Sequence, residues 1–223
     1  MSNSWLARVK AQKAIAVIRA VSPELGLQMA QAVAAGGMEL IEVTWNSAQP
    51  AKLLHRLQAE LPDCCIGAGT LLTPADLQAA IDAGAAFLFT PHSSPALIQR
   101  AVAQQIPIVP GALTPTEILS AWQAGATCVK VFPIETVGGA AYIRHLQGPM
   151  DQVPLIPTGG VTLENAASLI AAGAVAVGLA GQLFPKQAIA QSDWQTVQER
   201  AQLLMQELAQ IKAAESQSPA ARL

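Results

Sequence analysis

The amino-acid sequence predicts an α/β fold, a single (β/α)8 barrel, from two repeated features. An Ala-Gly pair recurs about every 40 to 48 residues, each time closing an alanine-rich segment and preceding a short apolar run. An amphipathic helix that ends at glycine and leads into a buried parallel strand produces this pattern. Eight strand–helix repeats within 223 residues suit a compact barrel. The four pairs are Ala35-Gly36, Ala83-Gly84, Ala124-Gly125 and Ala172-Gly173.

The second feature marks the helix starts. At four predicted helix starts a serine or threonine directly precedes a proline, which puts a capping side chain before the first helical residue. Thr114 and Glu117 also have the spacing of a capping box, in which each side chain bonds the other's backbone N–H. We expect each glycine of the Ala-Gly pairs to end its helix in the left-handed conformation. The four starts are Ser22-Pro23, Thr73-Pro74, Ser94-Pro95 and Thr114-Pro115.

Eight apolar runs between these marks are the predicted strands. A short helix precedes them and Asp193–Ala214 supplies the last helix, so residues 1–214 form the barrel domain and residues 215–223 a flexible tail. The alternative is an open doubly wound sheet, but residues 18–21 lack its glycine-rich dinucleotide turn. The predicted strands are Ile15–Ile18, Leu40–Thr44, Cys65–Gly69, Phe87–Thr90, Ile108–Pro110, Cys128–Phe132, Leu155–Thr158 and Val175–Gly178.

Composition excludes several classes of function. Hydrophobic residues make up 52% of the chain and charged residues 13%, about half the usual charged share. A net charge of −2 provides no basic surface for nucleic acid. An odd number of cysteines without zinc-type spacing, and an N-terminus without a signal sequence, favour a cytoplasmic protein. The uncharged run 166–184 approaches the length of a membrane span, but its glycines divide it into a predicted buried helix and strand.

Lys130 lies inside an apolar strand, and the chain's other lysines do not. Because side chains alternate along a strand, Val129 and Val131 are predicted to face the helices and Lys130 to point into the barrel. Burial disfavours the charged form of an amine, and a neutral lysine can attack a carbonyl and form a Schiff base. A structural lysine paired with a buried carboxylate, or a lysine that binds phosphate at the barrel mouth, remains an alternative.

Glu42 interrupts a second apolar strand in the same way. Ile41 and Val43 take the outward positions, so the Glu42 carboxyl is also predicted to point into the barrel, where an unpartnered carboxylate is costly. Side chains at the ends of these two strands can reach one central site. A glutamate there can shuttle protons for a lysine nucleophile, or the two residues can form a plain buried ion pair.

Glycine-rich turns follow the last two predicted strands, at Thr158-Gly159-Gly160 and around Ala180-Gly181. Barrels often hold phosphate at these two loops, where backbone N–H groups can approach an anion. Tight turns alone also select glycine, so a purely structural explanation stays open. The three histidines, His55, His92 and His145, lack the spacing of a metal site, and we expect no metal and no other cofactor.

Together these residues resemble the 2-keto-3-deoxy-6-phosphogluconate (KDPG) aldolase family, which includes 4-hydroxy-2-oxoglutarate (KHG) aldolase activity. The resemblance extends over residues 15–185 and depends on the order of several short motifs. It implies a homotrimer of (β/α)8 barrels that cleaves a phosphorylated keto acid to pyruvate through a lysine imine, without metal. The motifs are Gly36-Gly37, Ile41–Thr44, Ile66–Thr70, Thr90-Pro91, Pro110-Gly111, Val129–Pro133 and Pro157–Val161.

Matched residue by residue, Lys130 is similar to the family's imine-forming lysine and Glu42 to its general acid–base. Two positions depart from the family pattern. Ala180-Gly181 stands where some members have a serine, and Asn46 stands where some have an arginine that binds the substrate carboxylate. The implied substrate-binding residues are Arg19 (a hypothetical replacement cation), Thr44, Thr70, Pro91, Phe132 and Thr158, and the implied phosphate-binding residues are Gly159, Gly160, Ala180 and Gly181.

The resemblance implies cleavage of KDPG to pyruvate and glyceraldehyde 3-phosphate, and of KHG to pyruvate and glyoxylate. Asn46-Ser47 is also similar to the 6-phosphogalactonate branch, which has the opposite C4 configuration. Thr158 disfavours that branch, because its members have an apolar residue before the two glycines. Two non-aldolase functions also stay open: a phosphosugar isomerase or epimerase that uses Glu42 as a base, and a barrel that binds phosphosugars without catalysis.

Overall fold

The computed structural model describes residues 2–217, with side chains from 4 to 211. Strands and helices alternate along the chain, as predicted. The strands are β1 Ala14–Ile18, β2 Leu40–Thr44, β3 Cys65–Gly69, β4 Leu88–Phe89, β5 Ile108–Val109, β6 Gly111–Ala112, β7 Val129–Val131, β8 Leu155–Pro157 and β9 Val177–Leu179. The helices are α1 Ser2–Gln12, α2 Pro23–Ala35, α3 Pro50–Glu60, α4 Pro74–Asp82, α5 Pro95–Ala103, α6 Pro115–Gln123, α7 Ala140–Met150, α8 Leu163–Ala171, α9 Lys186–Gln191 and α10 Trp194–Gln217, with a 3-10 turn at Glu135–Val137.

The parallel strands form a curled sheet. Six strands pair in the order β5-β4-β3-β2-β1-β9, and three more pair separately in the order β6-β7-β8. The first strand pairs with β2 on one side and with the last strand on the other, with Ala16 opposite Leu179. In a doubly wound sheet the strand order reverses at the first strand, whose second neighbour is then a strand from the middle of the chain. Here that neighbour is the last strand, β9. The doubly wound alternative is therefore wrong, and the carboxyl ends of the parallel strands face one side.

The predicted fifth strand is broken in two. Pro110 separates β5 from β6 because proline has no N–H to donate to the neighbouring strand. The Pro110 carbonyl still accepts a hydrogen bond of 2.9 Å from the Lys130 N–H. β5 therefore pairs with β4 and β6 with β7, so the break turns the sheet at this point.

The capping predictions hold in most places. Ser22 caps α2, and both Thr73 and Thr114 form complete capping boxes, whereas the Ser94 side chain makes no capping hydrogen bond. The prediction for Gly36 is wrong, since its φ is −81° and the left-handed residue is the next one, Gly37.

Gly36 is required by packing. A Cβ at Gly36 would lie 2.6 Å from the Ala201 Cβ, so glycine allows α2 to approach α10 closely. The glycines that follow α4, α6 and α8 do take the predicted left-handed conformation.

The apolar run 166–184 is divided between α8 and β9, as predicted. Within residues 2–217, no helix has both the length and the apolar character needed to cross a bilayer. α10 continues to Gln217, three residues beyond its predicted end at Ala214. Residues 218–223 of the predicted tail lie outside the described residues.

Candidate active site

A cavity of about 440 Å³ opens at the carboxyl ends of the strands. All twelve residues predicted from the sequence line this cavity, although they come from seven strands and the loops that follow them. His55, His92 and His145 do not line it. The twelve residues are Arg19, Glu42, Thr44, Thr70, Pro91, Lys130, Phe132, Thr158, Gly159, Gly160, Ala180 and Gly181.

Lys130 points into the cavity from the middle of β7, as the alternation of the strand predicts. Val129 and Val131 belong to the fully buried core, while Lys130 itself is 7% exposed. Its Nζ lies 4.8 Å from the centroid of the Phe132 ring and 5.9 Å from that of Phe89. Desolvated cations favour aromatic faces at such distances, so the two rings help to position the Lys130 amino group.

Glu42 points into the same cavity from β2 and is 1% exposed. Its Oε1 has no hydrogen-bond partner among the described residues. Burial raises the pKa of this carboxyl above its ordinary value of 4.5, and the positive charges of Lys130 and Arg19 oppose the rise. A glutamate with a raised pKa is suited to accept and return a proton near neutral pH.

Lys130 and Glu42 do not form the ion pair that the sequence left open. No contact within 4.0 Å joins the Lys130 Nζ to the Glu42 carboxylate, although the charge of the lysine does act on the glutamate. Two buried ionisable groups are costly without a partner, and such groups concentrate at functional sites. The space between them is therefore available to a polar ligand.

The Glu42 carboxyl lies against the backbone of the adjacent strand. A Cβ added at Gly69 would be 1.7 Å from the Glu42 Oε1, so only glycine leaves room for the carboxyl. The next residue, Thr70, has a φ of 59°, a conformation that β-branched residues rarely adopt. Strained residues of this kind persist where their surroundings hold them, and they are frequent in active sites.

The other end of the cavity is built from left-handed glycines. Gly159 and Gly160 have φ values of 81° and 87°. A Cβ at Gly159 would be 2.9 Å from the Phe132 ring, and one at Gly160 would be 2.2 Å from the Glu135 Cβ. Side chains are excluded there, so backbone groups line the surface.

Helix α8 begins directly after this turn. Its capping box uses Thr162 and Asn165, and the Asn165 amide also donates a hydrogen bond of 2.9 Å to the Gly160 carbonyl. The capping boxes of α4 and α6 use carboxylates at the same position. The capping box of α8 is itself neutral, although Glu164 in the first turn of this helix supplies a carboxylate whose pKa a backbone hydrogen bond there lowers.

Six further residues line the cavity and were not predicted from the sequence. Of these, Gln182 is the most informative: Arg200 on α10 donates to its backbone carbonyl at 2.5 Å and to its Oε1 at 3.3 Å. The place of Gln182 just beyond a predicted strand was the available signal. The Thr158 Oγ1 is buried there without a hydrogen-bond partner among the described residues. The six residues are Val17, Glu135, Val161, Thr162, Gly178 and Gln182.

Comparisons with known proteins give the family. The sequence matches the family model described as "KDPG and KHG aldolase" over residues 6–200. The 2-dehydro-3-deoxy-phosphogluconate aldolase of Pseudomonas aeruginosa is 37% identical over 172 residues, which are 77% of this chain and 78% of that protein. The 2-dehydro-3-deoxy-6-phosphogalactonate aldolase of Escherichia coli K12 is 33% identical over 172 residues, 76% of this chain and 83% of that protein.

A solved structure has the same fold. The KDPG aldolase from Legionella pneumophila, with pyruvate captured at low pH as a covalent carbinolamine intermediate, has a TM-score of 0.83 and 30% sequence identity, and the match covers 89% of this chain and 97% of that chain. The family match begins in α1 and ends in α10, so it includes every strand that lines the cavity. The chain therefore belongs to the KDPG and KHG aldolase family, whose members are lyases.

Proposed function

We propose that this chain cleaves 2-keto-3-deoxy-6-phosphogluconate to pyruvate and glyceraldehyde 3-phosphate through an imine on Lys130. One observation carries the proposal: a buried lysine and a buried glutamate line one cavity without an ion pair between them, so a substrate carbonyl fits in the space between them. The Legionella relative, in which pyruvate was captured as a covalent carbinolamine, supports this chemistry.

The test is borohydride reduction in the presence of pyruvate, followed by tryptic digestion and mass spectrometry. Reduction of the imine attaches a carboxyethyl group to the lysine, which trypsin then no longer cleaves. We expect the added mass on the peptide 101–144, whereas unmodified protein is cut after residue 130. An adduct on any other lysine, or none, would contradict the proposal. Protein treated with borohydride alone is the control.

In the proposed mechanism the Lys130 ammonium first passes a proton to the Glu42 carboxylate, and the resulting neutral amine attacks the C2 ketone and forms a carbinolamine. Glu42 donates the proton that leaves with the hydroxyl as water, which gives the protonated imine. The Glu42 carboxylate, directly or through a water, then takes the proton of the C4 hydroxyl. The C3–C4 bond breaks, its electron pair passes into the imine to form an enamine, and glyceraldehyde 3-phosphate leaves. Protonation at C3 and hydrolysis release pyruvate and free the lysine.

The far end of the cavity is proposed to hold the substrate phosphate. The backbone around Gly159 and Gly160, the start of α8 and the turn at Ala180-Gly181 surround this end. Backbone N–H groups and a helix N-terminus favour phosphate without a lysine or arginine. The position agrees with the phosphate loops that the sequence predicts.

Gly160→Ala is expected to weaken phosphate binding. A Cβ would strain the left-handed backbone and collide with Glu135, so the loop must shift. We expect the KM for the phosphorylated substrate to rise about tenfold, with little change for an unphosphorylated keto acid. Steady-state kinetics on both substrates measures the difference. An equal change on both would contradict a phosphate site here, and Gly148→Ala, where an added Cβ meets nothing within 4 Å, is the control.

Gly69→Ala is expected to displace the Glu42 carboxyl while leaving the fold intact. An added methyl group would overlap the Glu42 Oε1, and the flexible side chain is the part that can move. We expect kcat to fall about 10- to 100-fold, the loss usual when one proton-transfer group is misplaced. Thermal melting establishes that the variant is folded, and pyruvate release gives the rate. Unchanged kcat would mean that the carboxyl position does not matter for catalysis.

The keto-acid end is proposed to be held by Arg19, Thr44, Thr70 and Phe132, with the Pro91 backbone beside them. Arg19 is the cation that faces this end, and its charge reaches Glu42. Asn46, where some family members have arginine, is exposed and does not line the cavity. Arg19 therefore supplies the charge for the substrate carboxylate.

The galactonate substrate is the second candidate. The Asn46-Ser47 sequence favours it, and so does the Escherichia coli galactonate aldolase at 33% identity. Thr158, whose hydroxyl lacks a hydrogen-bond partner among the described residues, offers the substrate a polar contact and favours the gluconate. Parallel assays with both 6-phospho substrates and with 4-hydroxy-2-oxoglutarate, coupled to lactate dehydrogenase, measure the preference. Pyruvate release only from the galactonate would overturn the proposed substrate.

An isomerase or epimerase would use Glu42 alone, and a binding protein would use neither group. Both functions leave the burial of Lys130 unexplained. Neither would release pyruvate in the coupled assay, and neither would form a reducible adduct. Pyruvate release together with an adduct on Lys130 would therefore exclude both functions.

Two features of the assembly are also proposals. The curled sheet is proposed to close as an eight-stranded barrel. The parallel bridge between Thr158 and Gly178 and the 3.0 Å hydrogen bond from the Val175 N–H to the Leu155 carbonyl support this proposal.

A homotrimer is proposed because two apolar side chains near the cavity face solvent in the single chain. Val21 and Leu72, each two residues beyond a cavity-lining residue, are 85% and 55% exposed. Sedimentation of the purified protein tests the trimer.

A further inference from the structure

The turn after β2 is joined to the turn after β1 by a buried hydroxyl. Ser47 is 8% exposed, and its Oγ accepts a hydrogen bond of 3.1 Å from the Ala20 N–H. The same Oγ shares a hydrogen bond of 3.1 Å with the Thr44 hydroxyl. One hydroxyl therefore contacts both the backbone next to Arg19 and a side chain that lines the cavity.

The two turns are joined a second time through the backbone. The Ala48 N–H donates to the Ala20 carbonyl at 2.9 Å, and the Ser47 N–H donates to the Thr44 carbonyl at 2.9 Å. Both polar backbone groups of Ala20 are thus bonded to the β2 turn. A buried peptide group needs such partners, so the geometry at Ala20 is determined by the β2 turn.

Arg19 depends on this backbone for its position. Its guanidinium makes no hydrogen bond or ion pair with any other residue of the described chain, and it acts on Glu42 only through its charge. Arg19 is an exposed residue, and the position of its Cα decides which groups its unpartnered guanidinium can reach. The hydrogen bond to the Ser47 hydroxyl holds the backbone N–H of Ala20, the residue next to Arg19.

We infer that Ser47 is a positioning residue for the substrate carboxylate: its hydroxyl holds the β1 turn so that Arg19 faces the keto-acid end of the cavity. The inference rests on the proposed function, in which Arg19 binds that carboxylate. The chain thus supplies the cation, Arg19, from the end of β1, and Ser47 holds the turn that carries it. Ser47 itself does not line the cavity.

The experiment is a double-mutant cycle on pyruvate binding in the condensation direction. Ser47→Ala is expected to raise the KM for pyruvate about tenfold while kcat stays within about twofold, because the lost contact acts on carboxylate binding and leaves the chemical groups intact. Ser47→Thr, which keeps the hydroxyl, is expected to restore the KM. Asn46→Ala, an exposed neighbour in the same turn, is the control without effect.

The cycle with Arg19→Ala separates the outcomes. If Ser47 acts through Arg19, then Ser47→Ala adds little to the KM of the Arg19→Ala variant. If Arg19→Ala leaves the KM for pyruvate unchanged, the proposed role of Arg19 fails. If Arg19→Ala raises the KM but Ser47→Ala does not, or if the two effects multiply in full, the role of Ser47 is overturned. Should Ser47→Ala not fold, Ser47→Cys keeps the volume, weakens the acceptor and enters the same cycle.

Discussion

Lys130→Met is expected to abolish aldol cleavage, lowering kcat/KM on the order of 10⁴-fold or more, since a covalent mechanism does not survive the loss of its nucleophile. Methionine has a similar volume and no amine, and the site between the rings of Phe89 and Phe132 is apolar enough to accept it. The fold should therefore remain. Pyruvate release in the coupled assay measures the loss.

Lys130→Arg is the control for charge. Arginine keeps the positive charge near Glu42, but its guanidinium stays protonated and does not attack a ketone. If Lys130 acted only as a cation that binds an anion, this variant would retain much of the activity. We expect it to be as inactive as Lys130→Met and to give no borohydride adduct with pyruvate. Substantial turnover by either variant would rule out the imine.

The cavity residues could be found from the sequence because strand geometry is local. A charged residue between two β-branched or aliphatic residues in a buried strand has only one direction to point, so Lys130 and Glu42 are placed by alternation alone. Parallel strands bring their carboxyl ends together, so residues far apart in sequence are predicted to share one cavity. The caps at Ser22, Thr73 and Thr114 follow from short-range chemistry in the same way.

The missed features depend on contacts between distant elements. Gly36 is glycine because α10 packs against it, and no pattern near Gly36 contains that information. Gln182, in the turn after β9, is held by Arg200 on α10, and the Ser47 hydroxyl accepts a hydrogen bond from the turn after β1. The break at Pro110 was visible as a proline. However, its consequence, a strand that pairs with different neighbours on its two halves, depends on the curvature of the whole sheet.

Glu42→Gln is expected to lower kcat by about 10²- to 10⁴-fold, the usual contribution of a general acid–base. The amide keeps the shape that fits against Gly69 but does not transfer protons. Burial raises the pKa of Glu42, so the acidic limb of the wild-type kcat profile should lie above pH 4.5. That limb should be absent from the residual activity of the variant. A variant with an unchanged acidic limb would show that another group accepts the proton.

The same substitution should stabilise the fold, because the carboxylate is held in the cavity at a cost. An acid whose pKa is higher in the folded than in the unfolded state contributes stability that is full below the unfolded pKa and is lost as the pH rises through the folded pKa. Glu42 is such an acid. At neutral pH we expect Glu42→Gln to raise the free energy of unfolding, and for a chain of this size each 1 kcal/mol gained is roughly 2–4 °C in Tm.

The sign of the pH dependence distinguishes this effect from a general gain in packing. The stability advantage of Glu42→Gln should vanish as the pH falls below the unfolded pKa, because the wild-type carboxyl is then protonated in both states. Glu164→Gln is the control of opposite sign, since the backbone hydrogen bond at the start of α8 lowers the pKa of Glu164. Thermal melts of the wild type, Glu42→Gln and Glu164→Gln, from below the unfolded pKa of glutamate up to neutral pH, measure how the difference in Tm depends on pH. If Glu42→Gln were more stable than the wild type by the same amount at every pH, the Glu42 charge would not be what destabilises the fold. A gain in stability confined to the higher pH values means that the active site retains a destabilising charge for its chemistry.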